Sequence, residues 1–240
     1  MLDKSKNNHF LDHPFVKDHL NKVFPVIVKE SDRGAVLLAA SQLDLVLEEA
    51  LKKIAPKSMS KTNLTPLFNF SGPLSTFSSK INMAYYFRII NKDVWKAINC
   101  LRKVRNIVAH ECIDFSLKSY SDKIDAFYNI GINVPDAINK WSNDVFWQNL
   151  IAHSLNLGDP TVDENKKLFN GPEEVSTYIN NNPELRQQLE MLLPKWKLGL
   201  GTVLICGITH YGAEKAVEIL GENETFSSIN KKLVKLGTGE

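Results

Sequence analysis

Apolar residues recur along much of this chain at alternating spacings of three and four, which is the period of an amphipathic helix. The clearest case is residues 32–54, where the apolar stripe consists of Val36, Ala40, Leu43, Leu47, Leu51 and Ile54. Ser31 precedes this stretch and is a residue type that caps helix starts, whereas Pro56 ends it. The pattern therefore predicts a helix over residues 32–54.

The same periodicity predicts helices through most of the chain. Residues 75–90 and 92–111 form a predicted helical hairpin, and shorter helices are expected near 121–129, 135–157, 173–181, 183–193 and 212–220. Residues 55–77 contain three prolines and are expected to be a long connection, anchored by its Leu and Phe residues. The apolar run 199–208 is rich in β-branched residues and is compatible with a short strand, although it lacks an evident partner. We therefore predict an all-α, multi-helix bundle.

A change of composition suggests how the chain is divided. The stretch 158–172 is polar and bounded by proline and glycine, as linkers between domains often are. We therefore expect a helical domain over residues 1–157 and an additional C-terminal helical segment over residues 158–240.

Composition and charge narrow the classes of function. The 240 residues are 43% hydrophobic and 23% charged, as in a folded globular protein, and the net charge of +2 gives no overall attraction to nucleic acid or anionic membranes. The three cysteines show no CxxC spacing, which favours a reduced, cytoplasmic protein. The longest apolar run, 199–208, is about half of the roughly 20 residues that span a bilayer, so no membrane association is expected.

The stretch LRKVRNIVAHE, residues 101–111, places polar groups inside a predicted helix. One face should carry Val94, Ala97, Leu101, Val104 and Val108, and the opposite face Asn99, Arg102, Asn106 and His110. Arg105 lies at the border between the two faces. Three interpretations are open: the polar side chains do chemistry, they form hydrogen bonds that fix helix packing or a dimer contact, or they only face water.

The pattern Arg105–Asn106–x–x–x–His110 resembles the signature of HEPN domains, all-helical modules of which many are metal-independent ribonucleases. A histidine that titrates near neutral pH can accept the proton of a ribose 2′-hydroxyl, and a guanidinium can hold the phosphate. The resemblance also implies that the motifs of two subunits meet across a dimer axis. Arg105, Asn106 and His110 would then be catalytic residues.

Three blocks in order resemble the mannitol operon repressor family: ESDRGAVLLAASQLD at 30–44, LFNFSGPLSTFSSKINMAYYFRII at 67–90, and LRKVRNIVAHE at 101–111. The resemblance covers about residues 25–120, and no block after about 125 matches. It implies an all-helical bacterial regulator without a recognisable DNA-reading motif of its own.

The same resemblance suggests that Glu30, Asp32 and Arg33 lie near the polar face of the 92–111 helix and take part in an interface. The alternative is that these residues only cap their helix and pair charges, because an acidic residue at a helix start is stabilised by the helix dipole.

The remaining sequence signals argue against a metal, a cofactor or direct DNA binding. His9, His13 and His19 have no cysteine or carboxylate at ligand spacing, His153 and His210 are isolated, and no nucleotide-binding or hydrolase motif occurs. Cys112 lies near His110 but lacks a third orienting group. The stretch nearest to a helix-turn-helix, 173–193, carries Glu173, Glu174, Glu184 and Glu190, a charge unsuited to a DNA groove.

The sequence thus favours a cytoplasmic transcriptional regulator that acts as a homodimer through contacts with an unidentified protein partner. The alternative is a HEPN-like ribonuclease or RNA-binding module. The residues expected at the interface are Glu30, Asp32, Arg33, Arg102, Arg105, Asn106 and His110.

Overall fold

The structure, a computed structural model, describes residues 10–110, 115–159 and 163–220. Within these ranges the chain forms α1 (Pro14–Lys22), α2 (Phe24–Lys29), α3 (Asp32–Lys53), α4 (Lys61–Phe68), α5 (Phe77–Tyr86), α6 (Lys92–His110), α7 (Ser121–Tyr128), α8 (Val134–Ser154), β1 (Gly158–Asp159), β2 (Asp163–Lys167), α9 (Pro172–Asn180), α10 (Pro183–Glu190) and α11 (Leu193–Leu220). Short 3₁₀ turns lie at Phe10–Asp12 and Leu117–Tyr120. The predicted all-α, multi-helix fold is confirmed.

The long helix α11 is the centre of the fold. It packs against α3 along much of its length and also against α1, α2, α7 and α8. Leu43 and Leu47 of α3 and Leu198 and Ile205 of α11 have no exposed surface, and all four belong to one continuous core. Helices α5 and α6 cover the other side of α3. The core is therefore assembled from elements of both halves of the chain.

Helix α3 follows the predicted pattern closely. The Ser31 hydroxyl caps its first turn by accepting a hydrogen bond from the Gly34 amide at 3.1 Å. The predicted stripe is buried from Val36 to Leu51, and Ile54 at the end is half-buried. The amphipathic period and the capping residue together were sufficient to locate this helix.

The predicted faces of α6 are also confirmed. All five residues of its apolar face are at most 1% exposed: Val94, Ala97, Leu101, Val104 and Val108. The Asn91 side chain starts the helix by accepting hydrogen bonds from the amides of Asp93 and Val94, at 3.1 and 2.9 Å. The predicted last residue, Glu111, lies outside the described residues.

The prediction of a long connection at 55–77 is wrong in part, because α4 lies inside it. Ser60 caps α4 by accepting a hydrogen bond from the Asn63 amide at 3.3 Å, and Pro66 lies within the helix. Proline lowers intrinsic helix propensity, but Phe68 packs on the main core and contributes burial that propensity does not measure. Tertiary packing therefore holds a helix that the sequence pattern did not reveal.

The run 199–208, whose composition was compatible with a strand, is helical and belongs to α11. The short helix predicted at 212–220 is the last part of the same helix. Four glycines and several β-branched residues in this stretch have low helix propensity, which is why the sequence signal was weak. The glycines permit close packing, since a Cβ atom at Gly201 would overlap the Tyr128 ring and one at Gly212 would overlap the Ile89 carbonyl oxygen. Burial on several sides stabilises the helix in place of propensity.

A second, smaller cluster lies beside the main core. Phe169, Val175 and Ile179 are buried there, and they pack on Trp147 and Ile151 of α8. The strands β1 and β2 precede this cluster as a short antiparallel pair, which the all-α prediction did not include. The division at residue 157 stays a prediction, although α11, beyond that boundary, packs in the same core as α3.

One helical stretch of the described chain, Pro183–Ile219, is long and apolar enough to cross a membrane by length and composition. Half of the most apolar part of this stretch is buried inside the fold. A helix that is apolar on all sides is also what the centre of a bundle requires, and the packing of α11 against five helices accounts for its hydropathy. The predicted cytoplasmic location stays a prediction.

Candidate functional site

The polar stripe of α6, defined here as Arg102, Arg105, Asn106 and His110, faces away from the core at Arg102, Asn106 and His110, and Arg105 lies at its border with the buried face. The side chains of Arg105 and His110 are exposed, and Arg102 and Asn106 are half-buried. The buried face of the same helix packs on α3 and α5, so the backbone beneath the stripe is firmly held. The stripe is therefore an accessible surface on a rigid support.

Hydrogen bonds within the stripe stay inside α6. Arg102 Nε donates to Asn99 Oδ1 at 3.1 Å, and the Asn99 amide donates to the Trp95 carbonyl oxygen at 3.0 Å. Arg105 Nη1 donates to Asn106 Oδ1 at 3.2 Å. These bonds orient the guanidinium groups along the helix and do not join α6 to another helix. These hydrogen bonds therefore do not support the interpretation that Asn106 fixes the packing of α6 against another helix.

Arg105 and His110 of one chain point in different directions. Five residues of an α-helix turn through about 500°, so two side chains at this spacing leave the axis about 140° apart. Arg105 lines a polar cleft of about 310 Å³ between α3, α5 and α6, together with Asp44 and Thr76. His110 is the last described residue of α6. A single copy of the chain does not bring these two groups to one reacting atom.

The predicted residues at the start of α3 form cross-links between helices. The Arg33 guanidinium donates a hydrogen bond to the Val108 carbonyl oxygen in the last turn of α6. Asp32 Oδ2 accepts a hydrogen bond from the Leu117 amide at 2.9 Å, and its other oxygen lies 3.7 Å from Lys195 Nζ of α11. Lys195 also donates to the Glu30 carbonyl oxygen at 2.7 Å. These residues thus do more than cap α3.

Among the contacts between described residues, Arg33 is the member of this group that reaches the helix carrying the stripe. Its contact at Val108 is two residues before His110, on the backbone of the buried face. Glu30 and Asp32 instead contact α11 and the 117–120 turn. The structure therefore brings the α3 start to one end of the stripe and away from Arg102 and Arg105.

Comparisons of the chain with family models, with curated proteins and with solved structures gave no match. The resemblances to mannitol operon repressors and to HEPN domains accordingly stay predictions from the sequence.

The cysteines in the described part of the chain are poor candidates for chemistry. Burial raises the pKa of Cys206, which lies in the core, and also the pKa of Cys100, whose thiol donates to the Lys123 carbonyl oxygen at 3.1 Å. A thiol with a raised pKa is a weak nucleophile at neutral pH. Cys112 lies outside the described residues.

Sequence reasoning did not identify an apolar cavity of about 600 Å³ between α3, α4 and α5. Its wall includes Leu51, Met59, Leu64, Leu67, Phe68 and Met83, with Ser79 and Asn82 as polar groups. A cavity of this size and lining suits an apolar small molecule. The signal in the sequence was the apolar content of the long connection 55–77, which was interpreted as anchoring and did not indicate a cavity.

Proposed function

We propose that the chain is a regulatory protein that acts through protein contacts, with the polar stripe of α6 as its contact surface. The observation that carries this proposal is the exposure of His110, opposite the fully buried face of α6, and of Arg105 at the border of that face. A rigid element presents side chains for recognition at low entropic cost. The three-block resemblance to mannitol operon repressors supports a bacterial transcriptional regulator as the kind of protein.

The proposal requires first that two copies of the chain form a homodimer through the stripe. Arg102 and Arg105 give the stripe positive charge, and Asn106 and His110 add hydrogen-bonding groups. Arginine is favoured at protein interfaces because its planar group makes several directed hydrogen bonds. We therefore expect the stripe to meet acidic or carbonyl groups of a second copy or of a protein partner.

Contact with proteins is favoured over direct DNA reading. The helix pair nearest to a helix-turn-helix, α9 and α10, carries Glu173, Glu174, Glu184 and Glu190, which would be repelled by phosphates. We expect no footprint on a defined operator at physiological salt. A protected site at nanomolar protein concentration would contradict regulation through protein contacts alone.

The experiment for the dimer is sedimentation velocity on the wild type and on Arg102→Glu/Arg105→Glu. The wild type should sediment as a dimer at micromolar concentration, and the charge-reversed variant as a folded monomer. Lys96→Glu is the matched control, because Lys96 is exposed on α6 outside the stripe and should leave the dimer intact. A monomeric wild type, or a double variant that remains dimeric, refutes the stripe as the dimer contact.

A metal-independent ribonuclease is the second candidate, and the exposed His110 favours it. Because Arg105 and His110 diverge within one copy, the reacting site would need groups from both subunits. Cleavage of RNA in the presence of a chelator, with a 2′,3′-cyclic phosphate end, would support this candidate if it disappears in both Arg105→Ala and His110→Ala. A wild type without such cleavage would exclude it, and cleavage that persists in the variants would identify a contaminant.

A further inference from the structure

His13, at the start of α1, lies beside His210 and Glu214 of α11. The Nε2 atom of His13 is 3.5 Å from Glu214 Oε2, and the Nε2 atom of His210 is 3.3 Å from Glu214 Oε1. The potential ligand atoms of all three side chains lie within 4.8 Å of one another. We propose that these three residues bind a divalent metal ion of the zinc class.

The distances suit a single ion. Zinc binds histidine nitrogen and carboxylate oxygen at about 2.0–2.2 Å, so neighbouring ligands of a tetrahedral site lie roughly 3.3–3.6 Å apart. The two histidine–carboxylate separations, 3.5 and 3.3 Å, fall in this range, each to a different oxygen of Glu214, and one ligand atom from each of the three side chains lies within 4.8 Å of the others. Closure of the site then requires that the exposed His13 imidazole and the Glu214 carboxylate turn towards the His210 Nε2 atom.

Two of the three ligands are held in place by the structure. His210 and Glu214 are four residues apart on α11 and therefore project from the same side of one helix. The Phe15 ring stacks on the His210 imidazole, with ring centres 4.0 Å apart and planes at 12°. This stacking limits rotation of the imidazole and keeps its Nε2 atom near the carboxylate.

Lys53 of α3 is the group that competes with a metal ion. Its ammonium donates a hydrogen bond to Glu214 Oε1 at 3.0 Å and so already places a positive charge at the carboxylate. The Lys53 side chain is 39% exposed, and it can turn into solvent when an ion binds. Removal of this lysine should therefore strengthen metal binding.

His13 is the ligand that must change its hydrogen bonding. Its Nδ1 atom caps α1 by accepting a hydrogen bond from the Phe15 amide at 3.2 Å. When Nε2 of a neutral imidazole binds a metal, Nδ1 carries the proton and no longer accepts. Metal binding thus exchanges one capping hydrogen bond for a metal–nitrogen bond.

Three protein ligands leave one position of a tetrahedral ion open to water or another molecule. The His13, Glu214 and His210 side chains are 33%, 34% and 25% exposed, so an ion can enter from solvent. The ion would also join the start of α1 to α11. This site lies apart from the α6 stripe, and the proposal does not depend on the function proposed above.

The test is titration of the full chain with Zn²⁺ by calorimetry, together with the visible absorption of bound Co²⁺. The protein must be untagged, because a histidine tag binds the same ions. The wild type should bind one ion, show the absorption of tetrahedral Co²⁺ and melt at a higher temperature with Zn²⁺. His210→Ala and Glu214→Gln should each weaken Zn²⁺ binding at least about tenfold, and Lys53→Met should strengthen it.

His13→Asn separates the role of His13 as a ligand from its role as a cap, because asparagine also caps helices well. This variant should fold as the wild type does and bind Zn²⁺ at least about tenfold more weakly. His153→Ala is the matched control, since His153 is exposed on α8, and it should bind as the wild type does. The proposal is overturned if the wild type does not bind Zn²⁺, or if the three ligand variants bind no more weakly than His153→Ala.

Discussion

The Arg33 guanidinium, in the first turn of α3, donates a hydrogen bond to the carbonyl oxygen of Val108, in the last turn of α6. Carbonyl groups in the last turn of a helix lack intrahelical partners, and the dipole makes that end negative. A positive donor is therefore favoured at this position by the negative end of the helix dipole. The contact also fixes the end of the helix that carries the polar stripe.

Replacing Arg33 should accordingly destabilise the protein. We expect Arg33→Ala to lower the free energy of unfolding by about 1–3 kcal/mol, the range for hydrogen bonds that involve charged groups. Urea unfolding followed by circular dichroism measures this change. Arg33→Lys, which keeps the charge but lacks the planar group, should lose less. An unchanged stability of Arg33→Ala would show that the contact does not contribute.

Leu101 offers a test of the faces assigned to α6. Its side chain is 1% exposed, and Leu101→Ala should cost about 2–5 kcal/mol, as large-to-small changes in a core do. Lys103→Ala, on an exposed position of the same helix, should change stability by no more than about 0.5 kcal/mol. Equal effects of the two substitutions would reverse the assignment of faces.

One physical reason explains why the sequence pattern predicted α3 and α6 correctly but did not predict α11. A helix at the edge of a core has one buried and one exposed side, so its period is visible in the sequence. Helix α11 is covered by five helices and contains glycines at close contacts, so neither period nor propensity marks it. Contacts that depend on distant parts of the chain decided its structure.

Lys80 of α5 is buried and joins two carboxylates of α3. Its ammonium lies 2.7 Å from Glu48 Oε2 and 3.1 Å from Asp44 Oδ2. Burial alone would raise the pKa of Glu48, but hydrogen bonds from Lys52 and Lys80 hold that pKa below its usual value. Burial alone would lower the pKa of Lys80, but hydrogen bonds to Glu48 and Asp44 hold that pKa above its usual value.

We expect Lys80→Met to lower the free energy of unfolding by about 2–4 kcal/mol at neutral pH, because it removes one partner of a largely buried ion pair. The loss is somewhat below that for a fully buried pair, because the carboxylates are partly exposed. Glu48 has a lowered pKa, so its contribution is complete above the pKa of the unfolded chain and is lost as pH falls through the folded value. Lys80 has a raised pKa, so its contribution is lost only as pH rises through the folded value.

Urea unfolding at several pH values tests this prediction. The difference between wild type and Lys80→Met should be constant near neutrality, and it should shrink in acid and again in strong alkali. Lys96→Met removes an exposed partner of Asp93 and should change stability by no more than about 0.5 kcal/mol. A difference that does not depend on pH would assign the effect of Lys80 to packing alone.

Tyr128 carries a buried hydroxyl that has no hydrogen-bond partner within the described residues. Burial also raises its pKa, so the side chain stays a neutral phenol. We expect Tyr128→Phe to raise the free energy of unfolding by about 1 kcal/mol, because it removes an unsatisfied polar group and keeps the ring. Tyr211→Phe, at an exposed position, should have little effect. Destabilisation by Tyr128→Phe would show that the hydroxyl has a partner.

The two candidate sites differ in how far the sequence could predict them. The exposure of His110 followed from helix geometry alone, because the opposite face was recognisably apolar, whereas Arg105 was placed only at the border of the two faces. The proposed metal ligands could not be grouped in this way, since His13 and His210 come together only when α1 packs on α11. The spacing of His210 and Glu214 was the one local signal, and it suggests a shared helix face without naming the third ligand.

The central position of α11 has a consequence for protein synthesis. A ribosome completes α1 to α10 before it reaches Leu193–Leu220, so the core-facing surface of α3 has no α11 to cover it during most of translation. Contacts between segments distant in the chain form slowly, and uncovered apolar surface promotes aggregation in the meantime. Nascent chains that end before residue 193 should therefore be substrates for chaperones, and the fold should close only after α11 has left the ribosome.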